Sequence, residues 1–220
     1  MKERPILFKG AMVRAILDGN KTQTRRIIEC ICNSWHIDRV LGDWGLSVPP
    51  HKWDGSDPEP LWRWTGKKQP KAGDWVEVFQ TEVDDHRGGP ISCPFGTVGD
   101  RLWVRETWQF CDYDGPGGYP KTDIVYRADG ETDDKRHGWV PSIHMPRWAS
   151  RITLEVTGVR VERLNEISES DAISEGVTLP NPELETYYSG FKRLWQSING
   201  PSSWSLNPWV WVIKFKRVTP

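Results

Sequence analysis

Four stretches of this chain alternate apolar and polar residues over strand length, and glycine or proline punctuates the sequence around them. They are RLWVRE (101–106), DIVYRA (123–128), RITLEVTGVRV (151–161) and PWVWVIKFKRV (208–218). Leu102 and Val104 fall on one face of the first, with Trp103 on the other. Ile152, Leu154 and Val156 share a face of the third, and Val159 and Val161 follow a turn expected at Gly158. Short strands of this kind predict a small closed or nearly closed β-barrel.

Helical spacing interrupts the strands in three places. Met12, Val13, Ile16 and Leu17 form a stripe over 11–18, which Gly19 is placed to end. Residues 168–175 begin with Ser168-x-x-Asp171, a capping-box pattern with Ile167 and Ala172 as a staple, and stop at Gly176. Over 183–198, Leu184, Tyr187, Tyr188, Phe191, Leu194, Trp195 and Ile198 predict one buried face, with Asn199-Gly200-Pro201 as the stop. The class is therefore α+β. Residues 30–98 are rich in Trp, Pro, Gly and charge, and only 74–79 reads as a strand, so this stretch is expected to be a loop-rich insertion within a single domain spanning 1–220.

Hydrophobic residues make up only 37% of the chain, yet it holds 14 Trp, so a few large rings are expected to fill much of the core. A net charge of −1 and a pI near 6.5 argue against binding nucleic acid through bulk charge, so any such contact must be local. The N-terminal MKERPILFKG lacks the apolar run of a signal peptide, and no segment has membrane-spanning length, so a cytoplasmic protein with reduced thiols is expected. Cys30-x-Cys32 with His36 resembles half a zinc site, but no second pair completes it, and no metal or cofactor is expected.

The densest chemistry lies in GNKTQTRRII, residues 19–28. Side chains at i and i+3 of a strand face opposite ways, so Lys21 meets Thr24 only if Lys21 lies in the turn after Gly19 or its long stem curls back. Arg25 and Arg26 read either as solvated rim charges or as a clamp for phosphate or carboxylate. Glu175, at the negative end of its helix, reads either as an exposed glutamate or as a carboxyl whose pKa is raised towards acid–base use. Glu106 is the competing carboxylate, with a salt bridge to Arg105 or Arg101 as its plainer reading. Trp195, Trp209 and Trp211 read as core, and Trp103 and Trp108 as candidates for stacking on a base.

ILDGNKTQTRR, VGDRLWVRE, LEVTGVRVERLNEISESDAISEGV and NPWVWVIKF together resemble the ASCH domain family, whose members have a PUA-like β-barrel. IHMPRWASRI (143–152) is similar to the phage and prophage branch, which implies a bacterial host cytoplasm and insertions at about 30–98 and 109–142. Some small members of the superfamily are amidohydrolases that remove the acyl group from N4-acetylcytidine, using a G-x-K-T-x-T motif and a later glutamate. The resemblance carries that motif onto Gly19, Lys21, Thr22 and Thr24, and the glutamate onto Glu175. This chain is considerably longer than those enzymes.

The resemblance implies Thr24 as nucleophile, neutral Lys21 as its base and Glu175 as the acid for the leaving amine. In a variant, Glu175 activates water and Thr24 only positions the substrate. Thr22, Arg25, Arg26, Trp103 and Glu106 would bind the substrate, a nucleoside or single-stranded nucleic acid. Two other functions fit the same residues: an RNA or modified-DNA binding module, and a metal-independent ribonuclease. The oligomeric state is not encoded in any motif.

Overall fold

The computed structural model describes residues 1–28, 92–110, 124–130 and 138–218, and the backbone of four strands between 51 and 91. In chain order the elements are β1 (Glu3–Leu7), α1 (Gly10–Leu17), β2 (Gln23–Ile27), β3 (His51–Lys52), β4 (Arg63–Trp64), β5 (Trp75–Gln80) and β6 (His86–Ile91). Then come β7 (Arg101–Arg105), β8 (Trp108–Phe110), β9 (Ile124–Tyr126), β10 (Thr153–Arg163), α2 (Glu169–Ser174), α3 (Tyr187–Asn199) and β11 (Trp209–Val218). The structure is thus α+β. No described helix is long and apolar enough to cross a membrane.

The main sheet has five strands in the order β1-β7-β10-β11-β2; β1 and β7 run parallel and the other pairs are antiparallel. β11 is an interior strand covered on both faces, which explains its almost unbroken apolar run. Trp209, Trp211, Ile213 and Phe215 enter the larger core cluster with Ile6, Val13, Ile16, Leu102, Leu154 and Val156. Val210 and Val212 point the other way, into a second cluster with Leu164, Ala172, Phe191, Trp195 and Trp204. Large rings supply much of both cores, as the tryptophan content suggests.

The sheet is open. Among the described residues no backbone ladder joins the edge strands β1 and β2. Their ends are clasped by a side chain instead: Arg26 Nη2 donates to the Leu7 carbonyl at 2.5 Å. Leu7–Lys9 on one side and Thr24–Ile27 on the other line a common cavity, so the gap where a closing ladder would run is occupied by a pocket.

Several local expectations hold and others do not. Gly19 ends α1 with φ +77°, and Gly176 follows α2 with φ +76°. Ser168 caps α2 by accepting the Asp171 N–H at 3.1 Å, but the Asp171 carboxylate turns away to other partners, so the capping box is one-sided. The expected turn at Gly158 is instead a register shift inside a continuous β10. α3 begins at Tyr187 rather than near 183, because Thr186 and Ser189 cap it reciprocally. Leu184 therefore lies outside the helix and is exposed, and Ile198 is also largely exposed.

The stretch 30–98 holds a second sheet, β3-β5-β6-β4, where only the strand at 74–79 was expected. The sequence of β6, HRGGPI, consists largely of residues depleted in strands, so pairing with β5 overrides its propensity. β8 and β9 form a two-stranded ladder whose Trp108 packs with Met145 and Ala149. Cys30, Cys32, His36 and Cys111 lie outside the described residues. Cys93 is a free, half-buried thiol whose pKa burial raises.

Candidate functional site

Lys21 lies in the turn after α1 and not in the strand: its backbone N–H still bonds the Ala15 carbonyl, at 2.9 Å. Here the start of β2 meets the end of α2. Thr22 N–H donates to the Ser174 carbonyl at 2.8 Å, and Lys21 and Glu175 form an isolated antiparallel bridge. Gly176 permits this approach, since a Cβ there would stand 2.8 Å from the Cβ atoms of both Ala15 and Lys21.

The Lys21 ammonium is buried and fully satisfied. It donates to the Gln23 carbonyl, the Glu175 carbonyl and Glu175 Oε2, each at 2.8 Å. Burial pulls the Lys21 pKa below the ordinary lysine value, with the Glu175 carboxylate acting in the opposite sense. Glu175 is the C-cap residue of α2, and its other oxygen accepts from Arg25 Nη1 at 3.1 Å. Its carboxylate is therefore wedged between two cations and is not the exposed cap residue of the plainer reading.

Arg25 is wholly inside and acts as a hub. Besides Glu175 it bonds Glu162 through Nε at 2.9 Å and through Nη2, and Asp171 through Nη2 at 3.1 Å. Arg160 closes the network, bonding Glu162 and Asp171 at 2.9 Å each, and Gln23 Nε2 bonds Asp171 Oδ1 at 3.0 Å. Burial raises the Asp171 pKa, but the Gln23 hydrogen bond and the charges of Arg160 and Arg25 outweigh it and leave the pKa lowered. Lys21, Arg25 and Arg160 balance Glu162, Asp171 and Glu175, three charges against three. Sequence reading missed Gln23, Arg160 and Glu162, and saw Asp171 only as a cap. The one available signal was the alternation of Arg160 and Glu162 with Val159 and Val161 along β10.

Lys21, Thr24, Arg25, Arg26 and Glu175 all line one cavity of about 320 Å³, at the small end of ligand-sized pockets, with Phe8, Met12, Phe191 and Trp195 among its apolar walls. Thr24 is almost fully buried, and its hydroxyl makes no hydrogen bond among the described residues. The other expected contributors are elsewhere. Thr22 is exposed, and Trp103 lies under the Arg105 guanidinium, 4.8 Å from the ring centroid. Glu106 is buried in a two-pronged pair with Arg151, at 3.0 Å to each oxygen, rather than with Arg105 or Arg101. Burial raises the Glu106 pKa, opposed by Arg151. Neither Trp103 nor Glu106 lines the cavity, and Glu175 is the carboxylate that does. Among the described residues no group of three or more His, Cys, Asp or Glu is gathered to hold a metal.

Compared with family models, with curated proteins and with solved structures, the chain matches none.

Proposed function

We propose that this chain is an ASCH-domain protein whose PUA-like sheet opens on one side into an active-site cavity, and that it hydrolyses the amide of an N4-acylated cytosine nucleoside. The reading rests on one observation: Lys21, Thr24 and Glu175, far apart in the sequence, line the same small cavity, with Lys21 and Glu175 in contact at 2.8 Å. The resemblance in the G-x-K-T-x-T motif supplies the substrate class, and the apolar walls suit a flat base.

The Lys21–Glu175 contact prepares both acid and base in one move. The step needs the proton of the ammonium to pass to the carboxylate, leaving a neutral amine beside a carboxylic acid, and burial lowers the Lys21 pKa in that direction. Thr24 Oγ attacks the acyl carbon while Lys21 takes the hydroxyl proton. The C–N bond breaks, Glu175 gives its proton to the departing N4, and the acyl group remains on Thr24 as an ester. Water then attacks the ester, its proton returning through Glu175 to Thr24 Oγ, and the acid is released. Arg25 fixes the Glu175 carboxylate throughout, and its own geometry is held by Glu162 and Asp171.

Thr24→Ala tests the proposal with the least damage, because it removes a hydroxyl that no described group bonds. Turnover of N4-acetylcytidine should vanish while the melting temperature stays within a few degrees of wild type. Full turnover removes Thr24 as nucleophile. Binding without product in the wild type supports a base-binding module instead, and cleavage of single-stranded RNA in chelator supports a ribonuclease.

A further inference from the structure

The cavity carries more positive charge than its carboxylate answers. Among the described residues four cations line it, Lys9, Lys21, Arg25 and Arg26, against the single carboxylate of Glu175. Lys21 and Arg25 are answered, since both bond Glu175 and Arg25 also bonds Glu162 and Asp171. Lys9 and Arg26 are not: among the described residues neither has a carboxylate within ion-pair distance. The first turn of α1, which follows Lys9, holds no acidic residue either.

Arg26 is the more telling of the two. Its Nη2 is used by the Leu7 carbonyl, its Nε is buried without an acceptor, and its Nη1 makes no hydrogen bond among the described residues. The rings of Phe8 and Phe95 hold the guanidinium, at 5.4 and 5.8 Å from their centroids. The Glu175 charge acts on Arg26 only from beyond bonding distance and is already bonded to Lys21 and Arg25; a largely buried cation with so little compensation is costly, and a guanidinium presents its donors as a fork suited to the oxygens of a phosphate. Arg25 and Arg26, adjacent and chemically identical, thus have different tasks: one is spent on internal carboxylates, the other is left for an outside anion.

We propose that the cavity takes a nucleoside monophosphate, with the base towards Lys21, Thr24 and Glu175 and the phosphate on Arg26 and Lys9. A phosphate monoester carries a charge of about −1.5 to −2 at neutral pH, which matches the two unanswered cations. A free nucleoside would leave both uncompensated, and a chain phosphodiester supplies one negative charge only. This deepens the function proposed above by naming the phosphorylated form of its substrate. It depends on the cavity holding a cytosine base but not on turnover.

Calorimetric titration of cytidine 5′-monophosphate against cytidine tests it without any reaction. The monophosphate should bind the wild-type protein at least about tenfold more tightly, the effect of one charge-assisted contact. Arg26→Gln should collapse that ratio towards one. Lys9→Gln, at the exposed rim, should lower it by roughly two- to threefold, as expected of a screened surface charge, and provides the check if Arg26→Gln does not fold. Equal binding of the two ligands, no binding of either, or a ratio that survives both substitutions overturns the proposal. A short oligocytidine that binds more tightly than the monophosphate transfers the contact to chain phosphates and overturns the monoester assignment. Failure to hydrolyse N4-acetylcytidine with the tenfold ratio intact removes the hydrolase and leaves the phosphate site standing.

Discussion

Gly19 and Gly176 offer a matched pair of substitutions, because their backbones are alike and their surroundings are not. Both adopt a left-handed conformation, φ +77° and +76°, which disfavours an L side chain. At Gly19 an added Cβ would meet nothing within 4 Å, whereas at Gly176 it would stand 2.8 Å from both the Ala15 and Lys21 Cβ atoms. Gly19→Ala should therefore cost only the backbone term, about 1–2 kcal/mol, less roughly 0.4–1 kcal/mol regained from a stiffer unfolded chain. Gly176→Ala carries the same term plus an overpacking penalty of about 1–3 kcal/mol, giving roughly 2–4 kcal/mol in all. For a chain of this length, that is a drop in melting temperature of roughly 5–15 °C. The assay is urea unfolding of both variants beside wild type, with turnover or cytidine binding measured on the folded protein. Gly176→Ala should also impair the site, because relief of the clash pushes Lys21 away from Glu175; Gly19→Ala should not. Equal destabilisation by the two substitutions would refute the claim that close approach of α2 to the Lys21 turn shapes the site.

Glu106→Gln should lower stability by roughly 1–3 kcal/mol through its pair with Arg151, yet leave turnover unchanged, since Glu106 does not line the cavity. A loss of turnover with stability intact would return Glu106 to the site. Asp171 has its folded pKa held down, so its contribution is complete above its unfolded value, about 3.9, and disappears as pH falls through the lower folded value. Unfolding free energies measured between pH 5 and 2 should accordingly fall less steeply for Asp171→Asn than for wild type, and identical slopes would contradict the network assignment. Because burial lowers the Lys21 pKa, the neutral amine accumulates with rising pH below the ordinary lysine value of about 10.4. The proton that leaves Lys21 in this titration is the one the mechanism needs on Glu175, so turnover should hold at neutral pH and fall in the alkaline range before that value; a rate that keeps climbing there would argue against Glu175 as the acid.

Legibility in the sequence followed the range of the forces involved. The helix α1 was readable because its 3.6-residue stripe reports one buried face directly, and β7 and β11 because short apolar runs rich in Val, Ile and Trp report a buried strand. The position of Lys21 in the turn was one of two arrangements the alternation of side chains left open, the other being a lysine stem that curls back, and only tertiary structure chose between them. Elements built by pairing rather than by propensity, β6 above all, were not readable, since nothing in HRGGPI announces a partner. The candidate site divided in the same way. Its outline could be taken from motif and helix end, but the role of Arg25 could not, because its partners Glu162, Asp171 and Glu175 are all more than 130 residues away. Arg25 and Arg26 look identical in a sequence, and only tertiary placement tells the hub from the unanswered charge. Trp103 and Trp108, the candidates for stacking, are buried, which could not be read for a related reason: composition shows how many large rings exist, not which ones the core consumes.

The order in which the main sheet is assembled has a consequence for synthesis in the cell. Among the described residues the ladder partner of β2 is β11, where Gln23 pairs with Lys214. At roughly 5–20 residues per second, translation leaves this segment waiting on the order of 10–40 s for its mate. During that interval the nascent strand is an unsatisfied edge, and two consecutive arginines within its five residues are a charge barrier against mispairing with other chains. The same pair of side chains that divides its duties in the finished protein thus keeps the unfinished one apart from its neighbours on the polysome.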